Sequence, residues 1–466
     1  MTDRVLIDVA DIRRCLDQES LRDWLAQQRW YASKSRALSG LEIVEGLTLR
    51  EQPQLFLALV QTRFAAGTHE IYQLLLTFRG ETERGPGRPI ARTDGWTAYD
   101  ALADPRQALE MLRRIGAGEE IDTDEGRFGF YPVDVVAEVA PDAPVRLIGV
   151  EQSNSSIVFD DRLVLKLFRK LEPGINPELE ILRFLTRAGF PNIAPLHGWY
   201  EYEGVPFSAT LGVAQEFFPD ARGGWELALD QIERDPEGFL GRLTALGAVT
   251  AAMHTTLGSD SSDPAFAPDQ PSQEALSLLT ATVDEDIERI FLRLPDDKRL
   301  APIAGRGQDV RERLAMRSQV GVSGRVVRTH GDFHLGQTLH TPRGWVIIDF
   351  EGEPARPLYE RRQKRSPLRD VASMLRSFAY AASAVQIMRG SPAPKDFEQR
   401  ARGAFLSEYL ANVEQTLLPR SESAVENLLS IYELEKAIYE LQYELDNRPD
   451  WVSIPVAGIR RLLESA

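Results

Sequence analysis

The sequence predicts an α+β protein whose first part is rich in β-strands and whose longer second part is mainly helical. After one amphipathic helix, alternating apolar and polar residues at 41–49, 53–64 and 70–78 predict the strands of a small antiparallel sheet. From about Trp225 onward the apolar residues recur at helical spacing, apart from a strand-like stretch at 326–350. Separation of strands and helices along the chain is typical of the α+β class.

Length, composition and charge limit the class of protein. With 466 residues the chain is longer than one hydrophobic core usually serves, and its 43% apolar and 27% charged residues are typical of a globular protein. The formal charge of −16 disfavours nucleic acid as a partner. No apolar run approaches the roughly 20 residues that cross a bilayer. The single cysteine, Cys15, and a beginning without the regions of an export signal favour a cytoplasmic protein without membrane contact.

Two linker-like segments divide the sequence into three predicted parts, residues 1–88, 89–218 and 219–466. The first linker is RGETERGPGRP at 79–89, which combines charge, Gly and Pro without periodicity. The second is AQEFFPD at 214–220, which follows a strand-like stretch and precedes the helical remainder. Between the two linkers the pattern predicts short strands, a hairpin and one helix.

The strongest functional signal is the pair of motifs HGDFHLGQ, at 330–337, and VIIDFE, at 346–351. Phosphoryl transfer requires a carboxylate that accepts the proton of the attacking hydroxyl, and oxygen ligands that hold Mg²⁺ against the nucleotide phosphates. Asp332 fits the role of catalytic base, while Gln337 and Asp349 offer a carbonyl and a carboxylate oxygen to the metal. The motifs therefore predict an ATP-dependent phosphotransferase with Mg²⁺ as its cofactor.

Each motif alone has a plain structural explanation, since HGD can be a turn and IIDF a buried strand that ends in a helix cap. Together, their order and spacing resemble the H-R-D-x-x-x-x-N and D-F-G set of protein kinases, in the variant of the aminoglycoside-phosphotransferase-like small-molecule kinases. Two positions differ from that set. Gln337 replaces the usual Asn, and Glu351 replaces the Gly after Asp349-Phe350, which makes Glu351 a further candidate metal ligand.

Candidate nucleotide-binding residues precede these motifs. Lys166 lies on the strand LVLKLF, from which a long cation can reach the α- and β-phosphates, and Glu180 is predicted to hold it by an ion pair. The alternative is a lysine exposed to solvent on a half-buried strand. The other predicted nucleotide contacts are Ser153, Asn154 and Ser155, in the place of a glycine-rich loop, and Glu216 and Phe217, at a hinge whose backbone meets adenine. A core position is the plainer interpretation of the Phe217 ring.

The last long helix offers a candidate site for the acceptor. Ile431, Leu434, Ile438, Leu441 and Leu445 form an apolar stripe, whereas Tyr432, Lys436, Tyr439 and Tyr443 fall on the opposite face. Burial of the first face leaves the second available to line a cleft, unless the tyrosines pack under a neighbouring helix. The predicted acceptor residues are His330, Asp332, Tyr380, Lys436, Tyr439, Tyr443 and Trp451. The histidines on either side of Asp332 are also expected to brace the catalytic loop.

Longer stretches resemble the maltokinase family, whose members transfer the γ-phosphoryl group of ATP to the C1 hydroxyl of maltose. These stretches are RWYASKSR from Arg29, VEQSNSS from Val150, LKLFRKLEPGINPELE from Leu165, HGDFHLGQTL from His330, IDFEGEPARP from Ile348 and YELQYELDNRPDW from Tyr439. The resemblance implies a protein-kinase-like bilobal fold. In it, an N-terminal α+β cap subdomain over 1–88 precedes a β-rich N-lobe over 89–218 and a helical C-lobe over 219–466.

The same resemblance implies a metabolic role, the supply of maltose 1-phosphate for α-glucan or glycogen synthesis, and an association with enzymes of the trehalose and α-glucan pathway. ATP and a sugar are the expected small-molecule partners. Two alternatives stay open: a kinase for another small sugar such as glucosamine, and a catalytically inactive, nucleotide-binding regulator with a kinase fold. Retention of Lys166, Glu180, Asp332 and Asp349 argues against the inactive regulator.

Overall fold

The chain forms two compact units. A computed structural model describes residues 7, 12, 16, 18–80, 83–93, 95–133, 139–140, 142–148, 154–205, 207–318 and 324–464. Unit 1 comprises Met1–Arg183 and Ala194–Pro219, and unit 2 comprises Phe184–Ile193 and Asp220–Ala466. Unit 1 is rich in strands and unit 2 is mainly helical, which confirms the predicted α+β class.

Unit 1 contains two antiparallel sheets and the helices that accompany them. Its elements are α1 (Gln18–Gln27), β1 (Leu38–Arg50), β2 (Leu55–Phe64), β3 (His69–Gly80), β4 (Pro89–Thr93), β5 (Trp96–Asp100), α2 (Leu109–Ala117), β6 (Glu120–Asp122), β7 (Gly126–Pro132), β8 (Val145–Ile148), β9 (Asn154–Phe159), β10 (Leu163–Phe168), β11 (Lys170–Leu171), β12 (Leu196–Gly204) and β13 (Ala209–Glu216). Helix α3 (Pro177–Arg187) begins in unit 1 and ends in unit 2.

The first sheet has the strand order β1-β2-β3-β5-β4, and β11 also pairs with β3. Alternate residues of its strands, among them Val60 and Leu74, are buried in one core with Leu21 and Leu25 of α1. The central residues of β2 and β3 are buried on both faces of the sheet, which is more burial than the apolar period of two predicted. The sheet continues through β4 and β5, so the proposed boundary at residue 88 falls inside it. The Gly- and Pro-rich segment 79–89 joins two strands of one sheet.

The second sheet has the order β6-β7-β12-β13-β10-β9-β8. Strand β10 lies between β9 and β13, and its Lys166 is opposite Ser156 of β9 and Val213 of β13. After β11, the side chain of Asn176 accepts the N–H of Glu178 at 2.8 Å and so starts α3. The lysine strand and the start of the following helix therefore both lie within unit 1.

Unit 2 is built from helices around one small sheet. Its elements are β14 (Arg222–Gly223), α4 (Gly224–Arg234), α5 (Pro236–Leu257), α6 (Gln273–Phe291), α7 (Gly307–Arg317), β15 (Thr338–Thr341), β16 (Gly344–Ile347), α8 (Leu358–Arg361), α9 (Leu368–Arg389), α10 (Phe397–Asn412), α11 (Glu422–Asn447) and α12 (Ser453–Glu464). Strands β15 and β16 form the hairpin predicted within 326–350, and β14 pairs with β15. Over the described ranges, no helix is both long and apolar enough to pass through a bilayer.

Helix α11 has a buried apolar side and a second buried side that carries acids. The predicted stripe, including Ile438 and Leu441, packs in a core with residues of α6, α7 and α12. On the acidic side, Glu440 accepts two hydrogen bonds from Arg376, at 3.0 and 2.6 Å. Glu433 is likewise bonded by both terminal nitrogens of Arg402, each at 2.8 Å. Burial of two faces leaves only a narrow strip of this helix exposed.

Candidate active site

The loop that begins at His330 is held by one buried carboxylate at the start of α9. The two oxygens of Asp370 accept the backbone N–H groups of His330, at 2.8 Å, and of Gly331, at 3.0 Å. On the other side, His254 Nε2 lies 3.1 Å from Asp370 Oδ2, and His254 Nδ1 lies 3.0 Å from the hydroxyl of Tyr409. Three helices, α5, α9 and α10, therefore fix the loop that carries the predicted base.

The ring of His330 belongs to the interior of this loop. Its Nε2–H donates to the carbonyl oxygen of Ile348 at 2.9 Å, and its Nδ1 accepts the N–H of Asp332 at 3.4 Å. The residue is only 1% exposed. These contacts contradict the prediction that His330 meets the acceptor, because both ring nitrogens are engaged with the backbone. His330 instead braces the loop.

Asp332 faces two side chains that can carry positive charge. Lys436 Nζ, from α11, lies 3.5 Å from Asp332 Oδ1, and His334 Nε2 lies 3.8 Å from Asp332 Oδ2. Burial acts to lower the pKa of Lys436, but the charges of Asp332 and Glu353 raise it above its usual value. Burial lowers the pKa of His334, and its Nδ1 accepts the N–H of Gly336 at 3.0 Å, so the neutral ring turns its protonated Nε2 toward Asp332.

Oxygen donors suited to a divalent cation meet just after β16. Carboxylate oxygens of Asp349 and Glu351 lie within 4.8 Å of one another. Gln337 Nε2 donates to Asp349 Oδ2 at 2.8 Å, which places the carbonyl oxygen of the same amide beside them. Asp349 has a φ of +67°, a left-handed backbone that is uncommon for residues with a Cβ. Donor groups that are all oxygen fit Mg²⁺, so the three predicted ligands are chemically suited to that ion.

Lys166 is buried in an ion pair and is not the solvent-exposed lysine of the alternative interpretation. Its Nζ donates to Glu178 Oε2 at 2.7 Å, and Gln215 Nε2 donates to Glu178 Oε1 at 3.0 Å. The sequence assigned this carboxylate to Glu180. Because α3 begins at Pro177, Glu178 lies on its first turn, and a residue two positions further is rotated by about 200° around the helix. The structure therefore shows Glu178 as a partner of Lys166, and an ion pair with Glu180 stays a prediction.

The segment predicted to cap phosphates differs from the expected loop. Ser153 lies outside the described residues. Asn154 and Ser155 already belong to β9, where they pair with Phe168 and Leu167 of β10. Ser155 Oγ accepts the Nε–H of Arg169 at 2.8 Å. Asn154 and Ser155 therefore belong to a buried strand and not to the predicted loop, and their contact with phosphate stays a prediction.

Glu216 and Phe217 lie where β13 ends and the chain leaves unit 1. The N–H of Glu216 donates to the carbonyl of Pro195 at 3.1 Å, and the N–H of Phe217 donates to that of Arg162 at 2.8 Å. The guanidinium of Arg146 lies 5.1 Å from the centre of the Phe217 ring. Both N–H groups are therefore engaged within unit 1, and the contact of this segment with adenine stays a prediction.

The exposed strip of α11 contains the predicted acceptor residues. Tyr439 and Tyr443 are each 44% exposed, and Lys436 Nζ lies 5.2 Å from the centre of the Tyr439 ring. Tyr432, assigned to the same face by helical spacing, is only 9% exposed. Packing of tyrosines under neighbouring elements thus holds for Tyr432 but not for Tyr439 and Tyr443.

An aromatic cluster continues from the end of α11. The guanidinium of Arg448 lies 5.3 Å from the ring centre of Tyr443 and 4.9 Å from that of Trp451. Trp451 in turn stacks on Tyr380, with ring centres 6.4 Å apart and planes inclined by 22°. The hydroxyl of Tyr380 donates to Glu444 Oε1 at 3.1 Å. Arg448 therefore links Tyr443 to Trp451, and Trp451 in turn contacts Tyr380.

Sequence reasoning missed the groups that hold these residues in place. Glu178 could have been identified, because the Asn-Pro start of α3 fixes which residues share its first turn. The acids of α11 carry a weaker signal: Glu433, Glu440 and Glu444 recur at helical spacing and mark a third face. The contact of Asp370 with His254 joins residues 116 positions apart, for which a single sequence gives no signal.

Two family models match the chain. Residues 144–387 match a model described as the phosphotransferase enzyme family, and residues 24–104 match a model described as the maltokinase N-terminal cap domain. Among curated proteins, the glucosamine kinase of Mycolicibacterium smegmatis is 28% identical over 333 residues, which cover 68% of this chain and 79% of that protein. The glucosamine kinase of Streptacidiphilus jiangxiensis is 25% identical over 348 residues, which cover 72% of this chain and 76% of that protein.

Solved structures show the fold over nearly the whole chain. A glucosamine kinase in crystal form B aligns with 98% of this chain and 100% of its own, with a TM-score of 0.73 and 19% identity. A glucosamine kinase in complex with glucosamine, ADP and inorganic phosphate aligns over the same shares, with a TM-score of 0.70 and 19% identity. Together with the two family matches, this likeness confirms the predicted kinase-like fold with an N-terminal cap.

Proposed function

Because the chain belongs to the phosphotransferase enzyme family, whose model covers a little more than half of its length, we propose that it is a kinase that converts maltose to maltose 1-phosphate with ATP. The predicted enzyme class, an ATP-dependent phosphotransferase, agrees with this family. The observation that carries the choice of acceptor is the exposed strip of α11, where Lys436, Tyr439 and Tyr443 extend from the side of Asp332. The maltokinase cap match at residues 24–104 supports the same acceptor.

In the proposed reaction Asp332 accepts the proton of the C1 hydroxyl of maltose. The oxygen of that hydroxyl attacks the γ-phosphorus of ATP. The bond from the γ-phosphorus to the bridging oxygen breaks, and ADP leaves. Lys166, held by Glu178, binds the α- and β-phosphates. Asp349, Gln337 and Glu351 would hold Mg²⁺, which would neutralise phosphate charge when bound. The loop contacts of Asp370 keep Asp332 in place throughout.

Two features of the strip favour a neutral disaccharide. Lys436 keeps a positive charge 3.5 Å from Asp332, which disfavours an acceptor that carries an ammonium group at this point. Tyr439 and Tyr443 are one helical turn apart, a rise of about 6 Å, so their rings can each pack against a different sugar ring. A monosaccharide can occupy only part of this length.

Glucosamine is the second candidate acceptor. The similar glucosamine kinases support it, as does Glu353, whose charge reaches both Lys436 and Tyr439 and can attract an ammonium group. However, Glu353 already accepts a hydrogen bond from Arg356 at 2.7 Å. A carboxylate with this partner offers less attraction to a second cation than an uncommitted one.

A panel of acceptors tests the proposal. ADP release is measured with maltose, glucosamine, glucose and trehalose, with the Asp332→Asn variant as the blank, and the phosphate position is read by ³¹P NMR. We expect kcat/KM for maltose to exceed that for glucosamine at least about tenfold, a difference of roughly 1.4 kcal/mol in the transition state. A preference for glucosamine would make glucosamine the acceptor. Binding of ATP without ADP release on any sugar would favour the inactive regulator.

The proposed reaction also suggests a place in metabolism. Maltose 1-phosphate is an activated maltosyl donor for α-glucan synthesis, so we propose that the chain acts in the cytoplasm and associates with enzymes of the trehalose and α-glucan pathway. Its net charge of −16 supports small-molecule and protein partners rather than nucleic acid. Copurification of these enzymes with the tagged protein would test the association.

A further inference from the structure

A cavity of about 780 Å³ lies within unit 1, where α1, the start of β4, the end of β5 and β8 surround it. We propose that it binds a small phosphorylated sugar, with the phosphate on its arginines and the sugar ring against Trp24. The volume is within the range of small-molecule sites, roughly 300–1,000 Å³. The site is independent of the acceptor proposed for α11, since all its lining residues belong to unit 1.

Arg169 is a buried cation in the wall of this cavity. It is 2% exposed, donates from Nε to Ser155 Oγ at 2.8 Å, and places Nη2 3.5 Å from Asp100 Oδ2. Its guanidinium lies 5.0 Å from the ring centre of Trp30. The buried Nη1 has no hydrogen-bond partner among the described residues. A buried charged donor without an acceptor is costly, and a phosphate oxygen entering the cavity would supply that acceptor.

The charges around the cavity also favour an anion. Arg29 and Arg88 line it from exposed positions, and within the described ranges neither forms an ion pair. With Arg169 they outnumber the two lining acids, Asp23 and Asp100. This local excess of positive charge occurs in a chain with a net charge of −16. Arginine matches a phosphate group with paired N–H donors, which makes a phosphate monoester the best match.

Trp24 and Gln28 form a part of the lining that suits a sugar ring. Trp24 is half-buried and packs edge-to-face on Trp30, with ring centres 5.9 Å apart, so its indole is held in one orientation. Gln28 donates its amide hydrogen to the carbonyl of Trp24 at 3.0 Å, which leaves its Oε1 as an acceptor for a hydroxyl. Aromatic surface beside amide groups recognises a polyol better than inorganic phosphate, which uses the arginines alone.

Calorimetric titration of the full-length protein tests the site with glucose 1-phosphate, inorganic phosphate and glucose as probes. We expect glucose 1-phosphate to bind, and the Arg29→Ala/Arg88→Ala double variant to raise its Kd at least about tenfold. Arg84→Ala, an exposed arginine outside the lining, is the matched control and should leave the Kd unchanged. Tyr443→Ala should also leave it unchanged, which separates this site from the acceptor strip.

The Trp24→Leu variant distinguishes a sugar phosphate from inorganic phosphate as the ligand of this site. It should weaken glucose 1-phosphate binding severalfold and leave inorganic phosphate binding unchanged. Equal Kd values for the two probes, unaffected by Trp24→Leu, would overturn the sugar assignment. An unchanged Kd in the double arginine variant, or no binding of glucose 1-phosphate at millimolar concentration, would overturn the site itself. All these variants except Trp24→Leu change exposed side chains, so folding should be preserved.

Discussion

The position of Asp332 depends on residues that touch neither the acceptor nor the nucleotide in our proposal. Asp370 holds two consecutive backbone N–H groups of the loop, and His330 spans from Asp332 to Ile348. The loop is thereby fixed before any ligand binds. Preorganised groups lower the reorganisation that a reaction requires, so these contacts should matter for turnover as well as for stability.

Asp332→Asn should lower kcat by roughly 10² to 10⁴, the usual contribution of a positioned acid or base. The change keeps the side-chain shape and affects a residue whose side chain is 21% exposed, so the melting temperature should change little. Steady-state kinetics and thermal melts on the same preparation provide both measurements. Turnover within about tenfold of the wild type would contradict the role of Asp332 as the base.

Asp370→Asn should instead lower both stability and turnover. Burial acts to raise the pKa of Asp370, but His254 and the N–H of Gly331 lower it below its usual value. The stability that this lowered pKa provides is present above the unfolded pKa and is lost as the pH falls through the folded pKa. Asn can accept at only one of the two oxygen positions, which costs about 1–3 kcal/mol for each unsatisfied group.

Chemical denaturation at several pH values measures this effect. The stability difference between wild type and Asp370→Asn should be largest near neutral pH and shrink as the pH is lowered below about 4. Asp332→Asn is the matched control, because it makes the same chemical change in the same region at a partly exposed carboxylate. A difference that grows toward low pH would contradict the assignment.

Single residues were predictable where chemistry fixes a short spacing. Gln337 and Asp349 were predicted to lie together because the two motifs are close in sequence, and the structure joins their side chains at 2.8 Å. Their role as metal ligands stays a prediction. Glu180 was predicted instead of Glu178 because the start of α3 was not used to determine which positions of that helix face Lys166. The role of Asp370 depends on distant partners, which a single sequence does not reveal.

At the scale of elements, helix phase decides which carboxylate serves Lys166. Glu178→Gln removes a charged partner of a buried lysine, so the KM for ATP should rise and stability should fall, by about 3–5 kcal/mol for a broken buried pair. Glu180→Gln is the matched control on the same helix and should change the KM for ATP less. A larger effect of Glu180→Gln than of Glu178→Gln on the KM for ATP would support the original prediction that Glu180 holds Lys166.

Helix α11 is the element whose pattern was only partly predictable. Spacing identified the apolar stripe and the strip with Tyr439 and Tyr443, but not the buried acids that bond Arg376 and Arg402. Periodicity separates apolar from polar residues, whereas the burial of a polar residue depends on a partner from another helix. For the same reason, helical spacing assigned the buried Tyr432 to the exposed face of the helix.

Tyr439→Ala and Tyr443→Ala should raise the KM for maltose about tenfold, which corresponds to roughly 1.4 kcal/mol of lost binding, with kcat and the KM for ATP nearly unchanged. Both rings are 44% exposed, so stability should change little. Tyr432→Ala on the same helix is the control and should cost several kcal/mol of stability, because its ring is buried. A normal KM for maltose and a lowered melting temperature in Tyr439→Ala and Tyr443→Ala would show that these residues stabilise the fold and do not bind the sugar.

At the scale of the whole molecule, the sequence predicted the class of fold better than the borders of its parts. The change from strand to helical periodicity falls near the border after Pro219. The segment 79–89 has a linker-like composition but joins strands of one sheet, so we propose that the cap ends nearer residue 104, where the cap match ends. Composition identifies a loop, but strand pairing decides whether that loop is a boundary.

Each unit has a hydrophobic core of its own, so the protein should unfold in two transitions. Leu74 is fully buried in a core of unit 1, and Ile438 is 2% exposed in a core of unit 2. Proteins with several compact units commonly depart from two-state unfolding, because each core can melt separately. Leu74→Ala and Ile438→Ala should each cost about 2–5 kcal/mol, and each should act on a different transition. Differential scanning calorimetry of wild type and both variants measures this. One transition shifted equally by both substitutions would mean that the two cores melt as a single cooperative unit.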